Sequence, residues 1–313
     1  MTGRETFPVI VGVDGSPGSA GALRYAFTEA RRRHAPLQLV HAVPSYLPAG
    51  PRVPVVGLSE FDRVGRSILK QQEEVVRGWD PDLDVRTVLA HGDRAATLIE
   101  ASERGQLVVV GRETRRGLDR LLTGTTTASV AAHADCDVVV VPSFWVDDVA
   151  RGQVVVGIKS SRNVHELLSQ AFAEAAARGA TLKAVTAWQL PDPYFDRVEA
   201  RTHAEEWEAE GTKVLDEVLV HWRSAYPQVR VETRVVHGAP ARVLLHAGSE
   251  SDLIVVSRRR LAIPPYGHLG GVVHALLRVS DVPVVVVPYV ADAAVAPDPL
   301  DDLVLETDGA PVK

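Results

Sequence analysis

The sequence predicts an α/β protein made of two tandem, doubly wound, five-stranded parallel-sheet domains, and three observations carry that expectation. Short, almost uninterrupted apolar runs such as VIVGVD (Val9 to Asp14), QLVVVG (Gln106 to Gly111) and DVVVVP (Asp137 to Pro142) read as strands buried on both faces. Between them lie segments with helical periodicity, long enough to serve as the crossovers that parallel strands need. The whole order of segments then occurs a second time, in a chain of 313 residues with room for two cores.

In chain order, VIVGVD is the first strand, the turn GSPGSAG follows, and ALRYAFTEARRR is a helix whose basic end suits the negative pole of its dipole. LQLVHAV (Leu37 to Val43) is the second strand. The connection from Pro44 to Gly57 is too rich in proline for regular helix and is expected to be a loop or flap. An amphipathic helix is expected from about Ser59 to Trp79, then the strand DVRTVLAHG, the helix RAATLIEASER and the strand QLVVVG. After a basic loop, Gly124 and three threonines open an apolar helix, and DVVVVP closes the unit.

The second copy begins with QVVVGIKSS at Gln153 and continues through ATLKAVTAW, VRVETRVVHG, DLIVVS and DVPVVVVP. Gly111 to Pro142 and Ser257 to Pro288 are both 32 residues long and align without a gap. A period of about 146 residues is too long for a solenoid repeat, so complete folds are expected at residues 5–143 and 152–290. The closing strands of the two copies are apolar and would expose unpaired backbone at a sheet edge.

Composition narrows the function. Apolar residues make up 46% and charged residues 24%, without an apolar run long enough to span a bilayer, so no membrane role is expected. The start of the chain shows no secretory pattern, and Cys136 is the only cysteine, which fits a reducing cytoplasm. The formal charge of −6 resides largely in residues 291–313, an acidic tail expected to be flexible, where six carboxylates face Lys313 alone. The nearly neutral remainder argues against a nucleic-acid binder. P-loop, G-x-G-x-x-G, G-x-S-x-G and H-E-x-x-H motifs are absent, and the histidines do not fall at metal-ligand spacing. His91 and His237, at equivalent strand ends, read as shared architecture.

The chemistry is expected at Gln106 to Pro142. In an open parallel sheet, ligands sit beyond the carboxyl ends of strands where the strand order reverses. Free N–H groups and hydroxyls in the first turn of the threonine-capped helix suit an anion such as phosphate, although threonines before an apolar run are also ordinary caps. Asp14, at the end of the first strand, could accept hydrogen bonds from a ribose or an adenine amino group, or could simply be a turn aspartate.

These residues resemble the universal stress proteins in their tandem form, over nearly all of residues 5–290. The resemblance rests on VIVGVDGS with Asp14, LVHA around His41, the HG at His91 and the spaced loop from Gly111 to Thr125. Nucleotide-binding members of that family, which is Rossmann-like in fold, carry G-x2-G-x9-G-[ST]; here Gly111, Gly124 and Thr125 match, and Thr114 replaces the second glycine. The resemblance implies an adenine nucleotide, ATP with or without Mg²⁺, bound in the first domain. Asp14 would contact the nucleoside, Ala42 would offer backbone to the adenine, Gly111 and Thr114 would lie along the phosphates, and Gly124, Thr125 and Thr126 would take the terminal phosphates; Arg112, Arg115 and Arg116 add positive charge to the same loop. Hydroxyls at Thr125 to Thr127 would keep donors in place. In the second domain Lys159 stands at the place of Asp14, Ser257 at Gly111, Arg260 at Thr114 and Gly271 at Thr125, so a degenerate site is expected there. The family also implies that residues 137–142 pair antiparallel with residues 283–287 within the chain, and a homo-oligomer is left open. The expected role is a stress-response regulator rather than an enzyme, with an unidentified protein partner. The alternative is a nucleotide-free scaffold in which both sites have decayed.

Overall fold

A computed structural model of the chain describes residues 6–45, 58–112, 125–147, 150–159, 164–260 and 269–290. The expected connection at 44–57, apart from Pro44 and Ser45, the basic loop after Arg112 and the acidic tail lie outside the described residues. Contacts divide the chain into two compact units, one comprising Met1–Val149, Gly267–Leu269 and Pro283–Pro288, the other Ala150–Tyr266, Gly270–Val282 and Tyr289–Lys313.

In the first unit the order is β1 (Val9–Gly12), α1 (Pro17–Arg32), β2 (Leu37–Val43), α2 (Leu58–Trp79), β3 (Val85–His91), α3 (Arg94–Ser102), β4 (Leu107–Arg112), α4 (Thr125–His133) and β5 (Asp137–Pro142). The five strands lie parallel in the order β3-β2-β1-β4-β5. The chain thus winds outward from β1 to β3, then crosses to β4 on the other side. β1 is the centre because it is apolar on both faces: Val9, Ile10 and Val11 are fully buried. Each such side chain contributes roughly 1.5–3 kcal/mol by leaving water. Val284, Val285 and Val286 of the late strand Val284–Val290 pair antiparallel with Val140, Val139 and Val138 on β5.

The second unit runs β6 (Gln153–Gly157), α5 (His165–Arg178), β7 (Thr181–Trp188), α6 (Pro193–Thr202), α7 (Ala204–Ala225), β8 (Val231–His237), α8 (Pro240–Gly248), β9 (Leu253–Arg260) and α9 (Gly271–Val279). The strand Val284–Val290, which comes after α9, is β10. Within this unit β8-β7-β6-β9 are all parallel, in the same order as β3-β2-β1-β4. α6 is an element that the hydrophobic pattern does not announce. Its start follows local rules all the same: Asp192 caps the helix by accepting from the N–H groups of Tyr194 and Phe195, and Pro193 stands in the first turn, where a missing N–H costs nothing.

Candidate functional site

β1 is the strand at which the winding direction reverses, and it pairs with both β2 and β4. Gly12 lies opposite Val40, which places Asp14 and Ala42 each two residues further along adjacent strands. Val11 lies opposite Val109, which places Gly111 and Arg112 just beyond on the other flank. Asp14, Ala42, Gly111 and Arg112 therefore meet at the carboxyl ends of three neighbouring strands. Thr125 opens α4 after β4, with Thr126 half-buried next to it. Thr114 and Gly124 lie outside the described residues.

Asp14 is exposed, and its position is set by the turn into α1. Gly15 adopts a left-handed φ of 75°, which reverses the chain and brings the N–H of Ser16 to Asp14 Oδ1 at 2.9 Å. Ser16 then caps α1 by accepting from the N–H of Ser19. The turn role of Asp14 is thus real, yet a carboxylate has acceptor capacity beyond one N–H. Burial opposes its ionisation. Hydrogen bonds from Ser16 and Ser19 and the positive charge of Arg94 outweigh that cost, so its pKa lies below the ordinary aspartate value. The result is an ionised, solvent-facing acceptor at the sheet's switch point.

The residue before Asp14 is fastened by a group whose role the sequence did not disclose. His41, buried on β2, has Nδ1 2.7 Å from the carbonyl oxygen of Val13, so Nδ1 carries the proton and donates. Arg94, the first residue of α3, is a second unforeseen contributor, acting on Asp14 through its charge. Asp93 before it is spent as the helix cap, accepting from Ala95 and Ala96 at 2.9 Å.

Packing makes its own demands on two of these positions. Gly111 is required by packing: a Cβ there would stand 2.2 Å from the carbonyl oxygen of Gly18, in the first turn of α1. The side chain is absent because helix backbone occupies its place. Thr127 is buried and its hydroxyl donates to the Gly111 carbonyl at 3.3 Å, so that donor serves the β4–α4 junction and not an outside anion. Arg112 is likewise buried, 6% exposed, while Ala42 and Thr126 are half-buried. A surface depression lined by Arg66, Lys70, Glu73 and Thr87 on α2 and β3 contains none of the predicted residues.

Sequence comparison decides the lineage. The profile described as the universal stress protein family matches residues 6–142 and again residues 151–288. The chain belongs to the universal stress protein family. A universal stress protein of Mycobacterium tuberculosis is 33% identical over 297 residues, covering 90% of this chain and 97% of the relative. One from Mycolicibacterium smegmatis is 35% identical over 260 residues, covering 80% and 86%. Among solved structures, a universal stress protein from Archaeoglobus fulgidus shares the fold, with a TM-score of 0.67 at 16% identity over 91% of this chain and 99% of that one.

In the second universal stress protein domain the same junctions carry other chemistry. Thr186 takes the place of His41 and donates its hydroxyl to the Ile158 carbonyl at 2.9 Å. The exposed residue after Ile158 is Lys159, a cation where the first domain has an anion. At the end of β8, His237 Nε2 lies 2.9 Å from Asp196 Oδ1 on α6; the first domain forms the matching pair between His91 and Asp62 of α2 at 2.7 Å. Burial works against the charge on Asp196. Hydrogen bonds from His237 and the Leu190 N–H, with the charge of His237 and a bond from Gln189, hold its pKa below the usual value. Both histidines are architectural. Among the described residues no cluster of acidic, histidine and cysteine side chains could hold a metal ion, and no helix is long and apolar enough to cross a membrane.

Proposed function

We propose that this universal stress protein binds an adenine nucleotide, ATP, in its first domain and acts in the cytoplasm as a stress-response regulator rather than as an enzyme. The observation that carries this reading is Asp14: an exposed, ionised carboxylate at the switch point of a doubly wound sheet, held by the Ser16 N–H and backed by a strand end that His41 ties down. Such an acceptor suits ribose hydroxyls or an adenine amino group. The N-terminus of α4, with Thr125 and Thr126, is the anion-favouring element beside it. Mg²⁺ would have to be shared among phosphate oxygens and hydroxyls, since the described residues offer no carboxylate cluster. Neither an activated nucleophile nor a base for water stands among the predicted residues, which supports a binder whose ligand state is its signal.

The nucleotide-free scaffold reading draws its support from Gly111 and Thr127, whose features are accounted for by packing alone. One experiment separates the two. Denaturing the purified protein and identifying the small molecules released should yield an adenine nucleotide from the natural chain and little or none from Asp14→Ala. A protein that releases none, and gives no calorimetric signal with ATP and Mg²⁺, is the scaffold.

A further inference from the structure

α6 of the second domain has two faces with opposite tasks. Asp196, Glu199 and His203, spaced at i, i+3 and i+7, form the anchoring face. Asp196 accepts from His237 and from the Leu190 N–H at 2.8 Å, and Glu199 accepts from the indole N–H of Trp207 and lies 3.1 Å from His203 Nδ1. Tyr194, Arg197, Val198 and Arg201, at i, i+3, i+4 and i+7, form the other face, flanked by Phe195. Tyr194 is 68% exposed, Phe195 62% and Val198 38%, and the two rings stand edge to face. Arg197 and Arg201 are exposed and make no ion pair among the described residues. Tyrosine, phenylalanine and arginine together are the composition of interface cores, and here a structured helix holds them out to solvent.

The geometry points to this face of α6 as a docking site for the chain's own C-terminal segment, residues 298–306. That segment, outside the described residues, sets Leu300, Leu303, Val304 and Leu305 among Asp298, Asp301, Asp302 and Glu306. Its apolar residues match Tyr194, Phe195 and Val198, and its carboxylates match Arg197 and Arg201. A second copy of α6 is a poorer occupant, because its arginines would meet arginines. From Val290 an extended chain reaches roughly 26 Å at Asp298 and roughly 53 Å at Glu306, against a radius of gyration of about 15 Å for a unit of this size. A tether of this kind supplies an effective concentration of order millimolar, so an intrinsic affinity of about 100 µM suffices to keep the face covered about nine-tenths of the time.

The test is hydrogen exchange on the full chain. Replacing Leu300, Leu303 and Leu305 by serine should accelerate exchange in α6 by about tenfold while leaving α5 unchanged, because covered helix opens less often. Arg197→Glu with Arg201→Glu should release the protection of residues 298–306, and adding Asp301→Arg with Asp302→Arg should restore it. These residues are exposed or outside the described fold, so the variants do not threaten folding. The proposal is overturned if α6 exchange ignores the leucine substitutions. It is also overturned if α6 protection depends on protein concentration and accompanies dimer formation, which would make a second copy the occupant.

Discussion

Both domains fasten the end of their first strand in the same way, yet the residues just beyond those two strand ends carry opposite charges. His41 holds the Val13 carbonyl and Thr186 holds the Ile158 carbonyl, at 2.7 and 2.9 Å. The next residue is Asp14 in one domain and Lys159 in the other. The His–carboxylate pair at the β3 and β8 ends is also kept, although Asp62 comes from α2 and Asp196 from α6. Duplication has preserved the contacts that shape the strand ends, while the residues just beyond the first strand of each domain have diverged. Architecture and chemistry are therefore separable at this site, and substitutions that strike one should spare the other.

The largest expected effect is on packing. Gly111→Ala should destabilise the first domain by about 2–3 kcal/mol, because its methyl meets helix backbone, whereas Ser257→Ala at the matching place should change stability by less than about 0.5 kcal/mol. Urea denaturation of the two variants checks this. Equal costs would mean that Gly18 can yield.

Next comes the pair of buried and exposed carboxylates. Asp196→Ala leaves His237 and the Leu190 N–H without their acceptor and should cost about 1–3 kcal/mol, while Asp62→Ala, in a pair open to water, should cost less than about 1 kcal/mol. The pH dependence has a definite sign. The folded pKa of Asp196 is depressed, so its stabilisation is complete above the ordinary aspartate value of 3.8 and is lost as pH falls from there through the folded pKa. Stability measured from pH 6 downward should therefore fall less steeply in Asp196→Asn than in the natural chain. An unchanged acid limb would remove Asp196 from the account.

A smaller effect separates the two anchors. His41→Leu and Thr186→Val should each cost about 1 kcal/mol in stability, but His41→Leu alone should also weaken nucleotide binding, since Val13 precedes Asp14. Calorimetric titration of both variants with ATP reads the difference. Loss of binding in Thr186→Val would place the ligand in the wrong domain.

Much of the fold was legible because burial on both faces leaves valine runs, as in Val138–Val141, and because the second copy repeats their order. Asp14 was legible for the same reason, as the polar residue that ends an apolar strand. Other features were hidden because they depend on contacts distant in sequence. Gly111 reads as a glycine serving a ligand, and only the approach of Gly18 shows why its side-chain space is already filled. Thr186 looks like one more β-branched strand residue until Ile158 is seen beside it. Arg94 lies eighty residues from the carboxylate whose charge it favours. α6 carried a readable start in Asp192 and Pro193, but its outward apolar stripe obscures the usual inward periodicity.

The most direct test of the central claim is the stoichiometry of ATP binding with Mg²⁺ in four chains: the natural one, Asp14→Ala, Lys159→Ala and the double variant. One nucleotide per chain is expected, with affinity reduced by about tenfold or more in both chains lacking Asp14, as loss of a hydrogen bond to a charged group implies, and unchanged in Lys159→Ala. Two equivalents per chain, or binding indifferent to Asp14, would contradict the assignment of the ligand to the first domain's switch point.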